Sequence, residues 1–287
     1  MELLKNLIPL LLTGSLALLV VAAGIASSRG DFVYVLGRPA LLGRAVLAVI
    51  VIPVIAAVAA IALFPIAQPA KAAIFLMAIS PVPPLMPGKA LKFGGNAGYV
   101  YGLQATGAVL ALLFVPTLGA VGARFYEVHA QFPIGVVARN IFVGLVVPLA
   151  IGLVLGRLVL HKVSPALPRI ITIVADVLLV LAFLPLLVEL FPGMMALVGD
   201  GTVIAMAFVV LIALAGGHLL GGPELANRST LAFSASMRHP GIALALAGAN
   251  HANKPVTAAV LLFLFVGLLV LIPYQMALKK KIARKST

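Results

Sequence analysis

Residues 228–250 form an apolar stretch with a permanent charge near its middle, Arg238, followed at once by His239, Pro240 and Gly241. A charge at the centre of a lipid-buried helix costs about 2.5–3.5 kcal/mol on insertion scales, and such residues mark ion or substrate pathways. A guanidinium offers five N–H donors and no acceptor. Pro240 lacks an N–H and its ring displaces the carbonyl four residues earlier, so the helix breaks there. A new half-helix then opens at Gly241, and its unpaired first N–H groups favour an anion. This grouping predicts an anion held by Arg238 and the start of that half-helix. The competing reading is structural: Arg238 in an ion pair with Asp176, or bonded to carbonyls that the break sets free. His239, with a reference pKa near 6.5, either couples transport to protons or is a hydrogen-bonded structural residue. Asp176, the most interior acid, is a partner for Arg238, a proton relay, or a cap near the interface.

A second break precedes it. Pro81, Pro83, Pro84 and Pro87 interrupt the apolar stretch 69–93. The run Pro87-Gly88-Lys89-Ala90-Leu91 recurs as Pro240-Gly241-Ile242-Ala243-Leu244, 153 residues later. Each is followed by a short Gly/Asn stretch, Gly94-Gly95-Asn96 and Gly248-Ala249-Asn250, and then by another apolar helix. Freed backbone at bilayer depth is tolerated only where it is buried in protein or lines a wet cavity, so both breaks point inward. Near them, Ser234, Asn96 and Gln104 supply polar groups that could line a substrate site. Gln104 is the strongest of these; Tyr99 and Tyr101 line the cavity or sit at the interface. His218 and Glu224, close to a loop, read as surface residues.

The elements that must position these residues are transmembrane helices. The chain is 63% hydrophobic and 9% charged, against about 25% charged in a soluble domain. Nine apolar segments recur, near 8–26, 41–64, 69–93, 96–121, 134–157, 169–191, 199–222, 228–250 and 255–277, most long enough for a hydrocarbon core of about 30 Å. The first is expected to be retained as a helix, the alternative being a signal peptide. The net charge of +13 would suggest nucleic acid in a soluble protein, but the basic residues sit at the ends of apolar runs. With the C-terminus in the cytoplasm, 14 of the 20 Lys and Arg fall on that side, Arg29, Arg38, Arg44, Lys162 and Arg228 among them, and five on the outer side. That bias predicts an outer N-terminus, a cytoplasmic C-terminus and an odd number of crossings. The basic tail 279–287 reads as a topology anchor or a binder of anionic lipid. The broken segments then run in opposite senses. Inverted repeats with helices broken near the midplane mark secondary transporters. Gly98/Gly102, Gly152/Gly156 and Gly217/Gly221 have the spacing of close helix packing. No cysteine is present, which excludes thiolate chemistry. No Walker loop, dinucleotide fingerprint or HExxH motif occurs, so neither catalysis nor a cofactor nor a metal site is expected.

The runs Gly217-His218-Leu219-Leu220-Gly221-Gly222 and Arg228 to Ala245, with Ile52-Pro53, Pro81 and Gly95-Asn96, resemble the bile acid:sodium symporter family of secondary transporters over roughly residues 10–278. Arg228, Thr230, Met237, Gly241 and Ala243 match the pattern of its crossover helix. The resemblance implies two broken, crossing helices in one polytopic domain over 1–287. It implies a core near 69–157 and 199–278, and a panel near 8–64 and 169–191 that moves against it. It also implies organic-anion substrates driven by two sodium ions. Carried over without gaps, the sodium-binding positions fall on Ala48, Met86, Pro87, Val100, Gln104, Ser234 and Arg238. Only Gln104 and Ser234 keep a side-chain oxygen, which argues against sodium coupling there.

The sequence therefore predicts an all-α, nine-helix membrane carrier for a small organic anion. Arg238, His239, Ser234, Gln104 and Asn96 are expected to face the substrate. Pro81, Pro84, Pro87, Gly88, Pro240 and Gly241 supply broken backbone. Protons or uniport are preferred over sodium. The alternatives are a sodium symporter with relocated sites, an arsenite-type exporter (which the absence of cysteine disfavours), a channel, and a non-transporting sensor or scaffold.

Overall fold

The computed structural model describes residues 2–28, 30–159 and 166–286; Arg29 and Lys162 of the charge count lie outside the described residues. The described residues form helices joined by short turns, with no strand. They are α1 (Glu2–Ala26), α2 (Pro39–Leu63), α3 (Gln68–Ile79), α4 (Met86–Lys92), α5 (Ala97–Phe125), α6 (Ile134–Arg157), α7 (Ala166–Met195), α8 (Thr202–Leu220), α9 (Leu225–Ser236), α10 (Pro240–Ala249) and α11 (Lys254–Ser286). The expected apolar segments coincide with these helices, and the two proline-broken ones with the pairs α3/α4 and α9/α10. Among the described residues six helices are long and apolar enough to cross a membrane: α2, α5, α6, α7, α8 and most of α11. Shorter apolar stretches lie at Leu10–Ala26 and Gln68–Ile79. The solvent is legible on α7, where Ile170, Ile173, Val177, Val180, Leu184 and Val188 are all exposed. An apolar surface of that length is stable against acyl chains and costly in water. The chain is a multi-pass membrane protein.

Proline shapes these helices locally. α2 opens into a wide π turn at Leu47–Val51 just before Ile52-Pro53, and α6 does the same at Phe142–Val146 just before Val147-Pro148. A wider turn makes room for a pyrrolidine ring that an α-turn would clash with. In α2 the π turn returns the Ile52 N–H to the Leu47 carbonyl, and Pro53 has no N–H with which to continue it.

The chain divides into two compact units, Met1–Arg29 with Ala138–Phe191, and Gly30–Val137 with Pro192–Thr287. In this division α2 belongs to the larger unit, and most of α6 to the smaller. In the smaller unit α1 and α6 meet backbone to backbone. A Cβ on Gly24 would lie 2.9 Å from the Cα of Gly152, and one on Gly156 would lie 3.0 Å from the Cα of Ile25. Gly152→Ala would drive a methyl into the Val21 carbonyl. It is expected to lower the midpoint of thermal unfolding in detergent, at a cost of about 1–3 kcal/mol. Gly144→Ala, with open space around its Cβ position, should leave the midpoint unchanged.

In the larger unit the other two small-residue pairs also mark close approaches. Gly98 and Gly102 of α5 lie under the turn at residues 31–35, and Gly217 and Gly221 of α8 lie against the backbone of α9. The α8–α9 contact sets the line along which α9 runs to its break at residue 237.

Candidate functional site at the crossed helix breaks

α3 ends at Ile79 and the chain restarts as α4 at Met86; α9 ends at Ser236 and restarts as α10 at Pro240. Helices that stop leave carbonyls without N–H partners, and here the two sets of loose ends meet. The His239 N–H, which an unbroken helix would give to the Ala235 carbonyl, donates instead to the carbonyl of Pro81 at 3.0 Å. Ser234 Oγ, one turn earlier, bonds the Thr230 carbonyl at 2.9 Å and points a second contact at Met86 Sδ, 3.4 Å away. The segments around 80–86 and 234–239 therefore touch along their length.

Arg238 lies at the centre of this meeting, with 5% of its surface exposed. Its guanidinium donates to three main-chain carbonyls: Nη1 to Ser80 at 3.0 Å, and Nη2 to Val49 at 2.7 Å and Ala235 at 2.8 Å. Each carbonyl is available for a reason written in the sequence. Val49 lies in the π turn that Pro53, lacking an N–H, interrupts, and Ser80 closes α3 with extended backbone, so no helical N–H follows it. Ala235 stands four before His239, whose N–H has gone to Pro81. Three elements, α2, the end of α3 and the end of α9, thus each present a freed carbonyl to one cation. Charge-assisted bonds of this type are worth about 1.5–3 kcal/mol each, and at membrane depth the alternative is an unsatisfied carbonyl.

The remaining expected site residues are placed as follows. His239 is half-buried, and its Nδ1 accepts from the Ile242 N–H at 3.4 Å, capping the start of α10. Gly241 follows in the first turn, its Cβ position 3.0 Å from the His239 ring. Pro81, Pro84 and Pro87 are buried at the first break, Pro240 is half-buried at the second, and Gly88 is exposed. Asn96 caps α5, its Oδ1 accepting from the Tyr99 N–H at 3.0 Å. Gln104 is 7% exposed, and its Oε1 is buried without a donor. Tyr99 and Tyr101 are buried rather than interfacial. His218, expected at the surface, is part-buried with Nδ1 2.8 Å from the Tyr274 hydroxyl. Asp176 lies on α7 in the smaller unit. The carbonyls of Val49, Ser80 and Ala235 were missed at the level of side-chain motifs. Their signals are the Pro53 interruption for Val49, the end of α3 for Ser80 and the rerouted His239 N–H for Ala235.

The crossing has the chemistry of a cation cage: buried carbonyl oxygens from three elements around one positive charge. A profile of the sodium bile acid symporter family matches residues 13–218. The chain belongs to the sodium bile acid symporter family. The matched stretch ends before α9 and the second break, so the partner break in this family member rests on the contacts at the crossing. No curated protein sequence matches the chain. Of the seven positions carried over for the family's sodium ions, Gln104 and Ser234 alone keep a side-chain oxygen. Ala48, Met86, Pro87 and Val100 are buried with no side-chain oxygen. The carbonyls of Val49, Ser80 and Ala235 bond the guanidinium.

Proposed function

We propose that this member of the sodium bile acid symporter family is a secondary carrier of a small organic anion, working by alternating access without a sodium ion at the crossing. The observation that carries this reading is the set of three carbonyls on Arg238. A bound metal cation would neutralise the loose backbone ends and fix the angle between the broken helices. Arg238 does both with a charge that never leaves. Three of its five N–H donors are spent on main chain, so its part in anion binding is mainly its field. The direct contact falls to the half-buried first turn of α10, at Gly241, beside the His239 ring. A fixed cation and the Gly241 N–H favour a carboxylate or sulfate there. We place the C-terminus in the cytoplasm, on the side that holds most of the Lys and Arg.

Uptake into proteoliposomes tests this. Labelled organic acids should enter with saturation and show counterflow when unlabelled acid is preloaded. Equal initial rates are expected in sodium and in choline media. Flux that never saturates would indicate a channel, and no flux for any of a broad set of acids would indicate a scaffold; either result rejects the proposal.

A further inference from the structure

Away from the crossing, the larger unit carries a second concentration of cations, at the end where α2 begins and α8 turns into α9. Gly222 stands in that turn with φ +82°. Arg228 Nε donates to its carbonyl at 2.5 Å. Arg44 Nη1, from the first turns of α2, lies 3.1 Å from where a Cβ on Gly222 would stand. Two guanidiniums from different helices thus converge on one residue, against their mutual repulsion. Glu224, the acid nearest in sequence, accepts from Asn227 Nδ2 at 3.1 Å.

The surroundings are ordered. His218 Nδ1 is 2.8 Å from the Tyr274 hydroxyl, and Lys281 stands two turns beyond Tyr274 on the same face of α11. Phe93, Phe233 and Tyr274 stack in sequence, with centroids 5.5 and 5.7 Å apart, joining the end of α4, α9 and α11. Exposed apolar side chains lie beside them: Leu47 one turn into α2 from Arg44, and Leu219 next to His218. Cations at the ends of spans, with acyl-compatible leucines adjacent, match the head-to-tail order of a phospholipid.

We propose that Arg44, Arg228 and Lys281 bind the phosphate of an anionic phospholipid headgroup whose chains lie along Leu47 and Leu219. Charge complementarity argues for the anionic lipid: juxtamembrane basic residues are drawn to such a surface, and an arginine fork suits phosphate. A free phosphate ion would make no use of the leucines. This site is independent of the transport proposal.

The test is thermal unfolding of the delipidated full chain in detergent, with phosphatidylglycerol, phosphatidylcholine or inorganic phosphate added. Phosphatidylglycerol alone is expected to raise the midpoint, by several degrees. Arg44→Gln with Lys281→Gln should lose most of that rise, and Arg44→Lys should retain much of it. Arg228 is left intact because it also holds the Gly222 turn. A rise of equal size with phosphatidylcholine would overturn the proposal, as would one with inorganic phosphate. So would a full response in the double variant. If that variant is too unstable to purify, the lipid retained by wild type, read by native mass spectrometry from a mixed-lipid extract, decides: enrichment of phosphatidylglycerol over its share supports the site, and no enrichment refutes it.

Discussion

Arg238→Ala is expected to abolish uptake and to destabilise the protein by about 3–5 kcal/mol, the range seen when one partner of a buried ionic contact is removed. The substitution leaves the carbonyls of Val49, Ser80 and Ala235 facing each other without a donor. Their dipoles repel, and no water at that depth replaces the lost bonds at low cost. Arg238→Lys should be milder, because an ammonium has three donors, but a point charge cannot match the fork that spans Nη1 and Nη2. If the guanidinium stands in for a metal cation, the alanine variant has a further property: sodium, and not choline, should recover part of its thermal stability. A variant with normal uptake would show that the carbonyls find other partners and that the arginine is incidental.

Gly217→Ala is the second large effect. A Cβ there would lie 2.6 Å from the Leu231 carbonyl oxygen and 2.7 Å from the Cα of Ala232. Both are main-chain atoms of α9, so no side chain can swing aside. α9 must move outward; Ser234 and Ala235 lie near its far end and Arg238 just beyond it. Overpacking of this kind costs about 1–3 kcal/mol. The displacement at the crossing should cut the maximal uptake rate beyond what the lost stability explains. Gly248→Ala, on α10 with open space around its Cβ position, is the matched control and should leave both unchanged.

How much of this was legible in the sequence follows from what each signal depends on. Apolar length and proline breaks depend on local chain chemistry alone, so the helices, the two interruptions and the close Gly pairs emerge at their expected places. The meeting of the two breaks was legible only through the repeat of Pro87-Gly88 as Pro240-Gly241. Arg238 stood out because a charge inside an apolar run has few explanations. Which explanation holds was not legible, since its partners are main-chain oxygens that every residue carries. Only the π turn before Pro53, the end of α3 and the rerouted His239 N–H distinguish Val49, Ser80 and Ala235. Asn96 illustrates the converse: a polar residue beside a break reads as a substrate ligand, and its position just before α5 makes it a helix cap.

Sodium dependence of wild-type transport tests the central claim most directly. Initial rates of anion uptake are measured in sealed proteoliposomes while sodium is replaced stepwise by choline at constant ionic strength. With a permanent guanidinium on the three carbonyls, the rate should stay flat across the whole replacement. A rate that rises from near zero with added sodium and saturates would mean that a metal cation still binds and drives the cycle, and that Arg238 does not take its place.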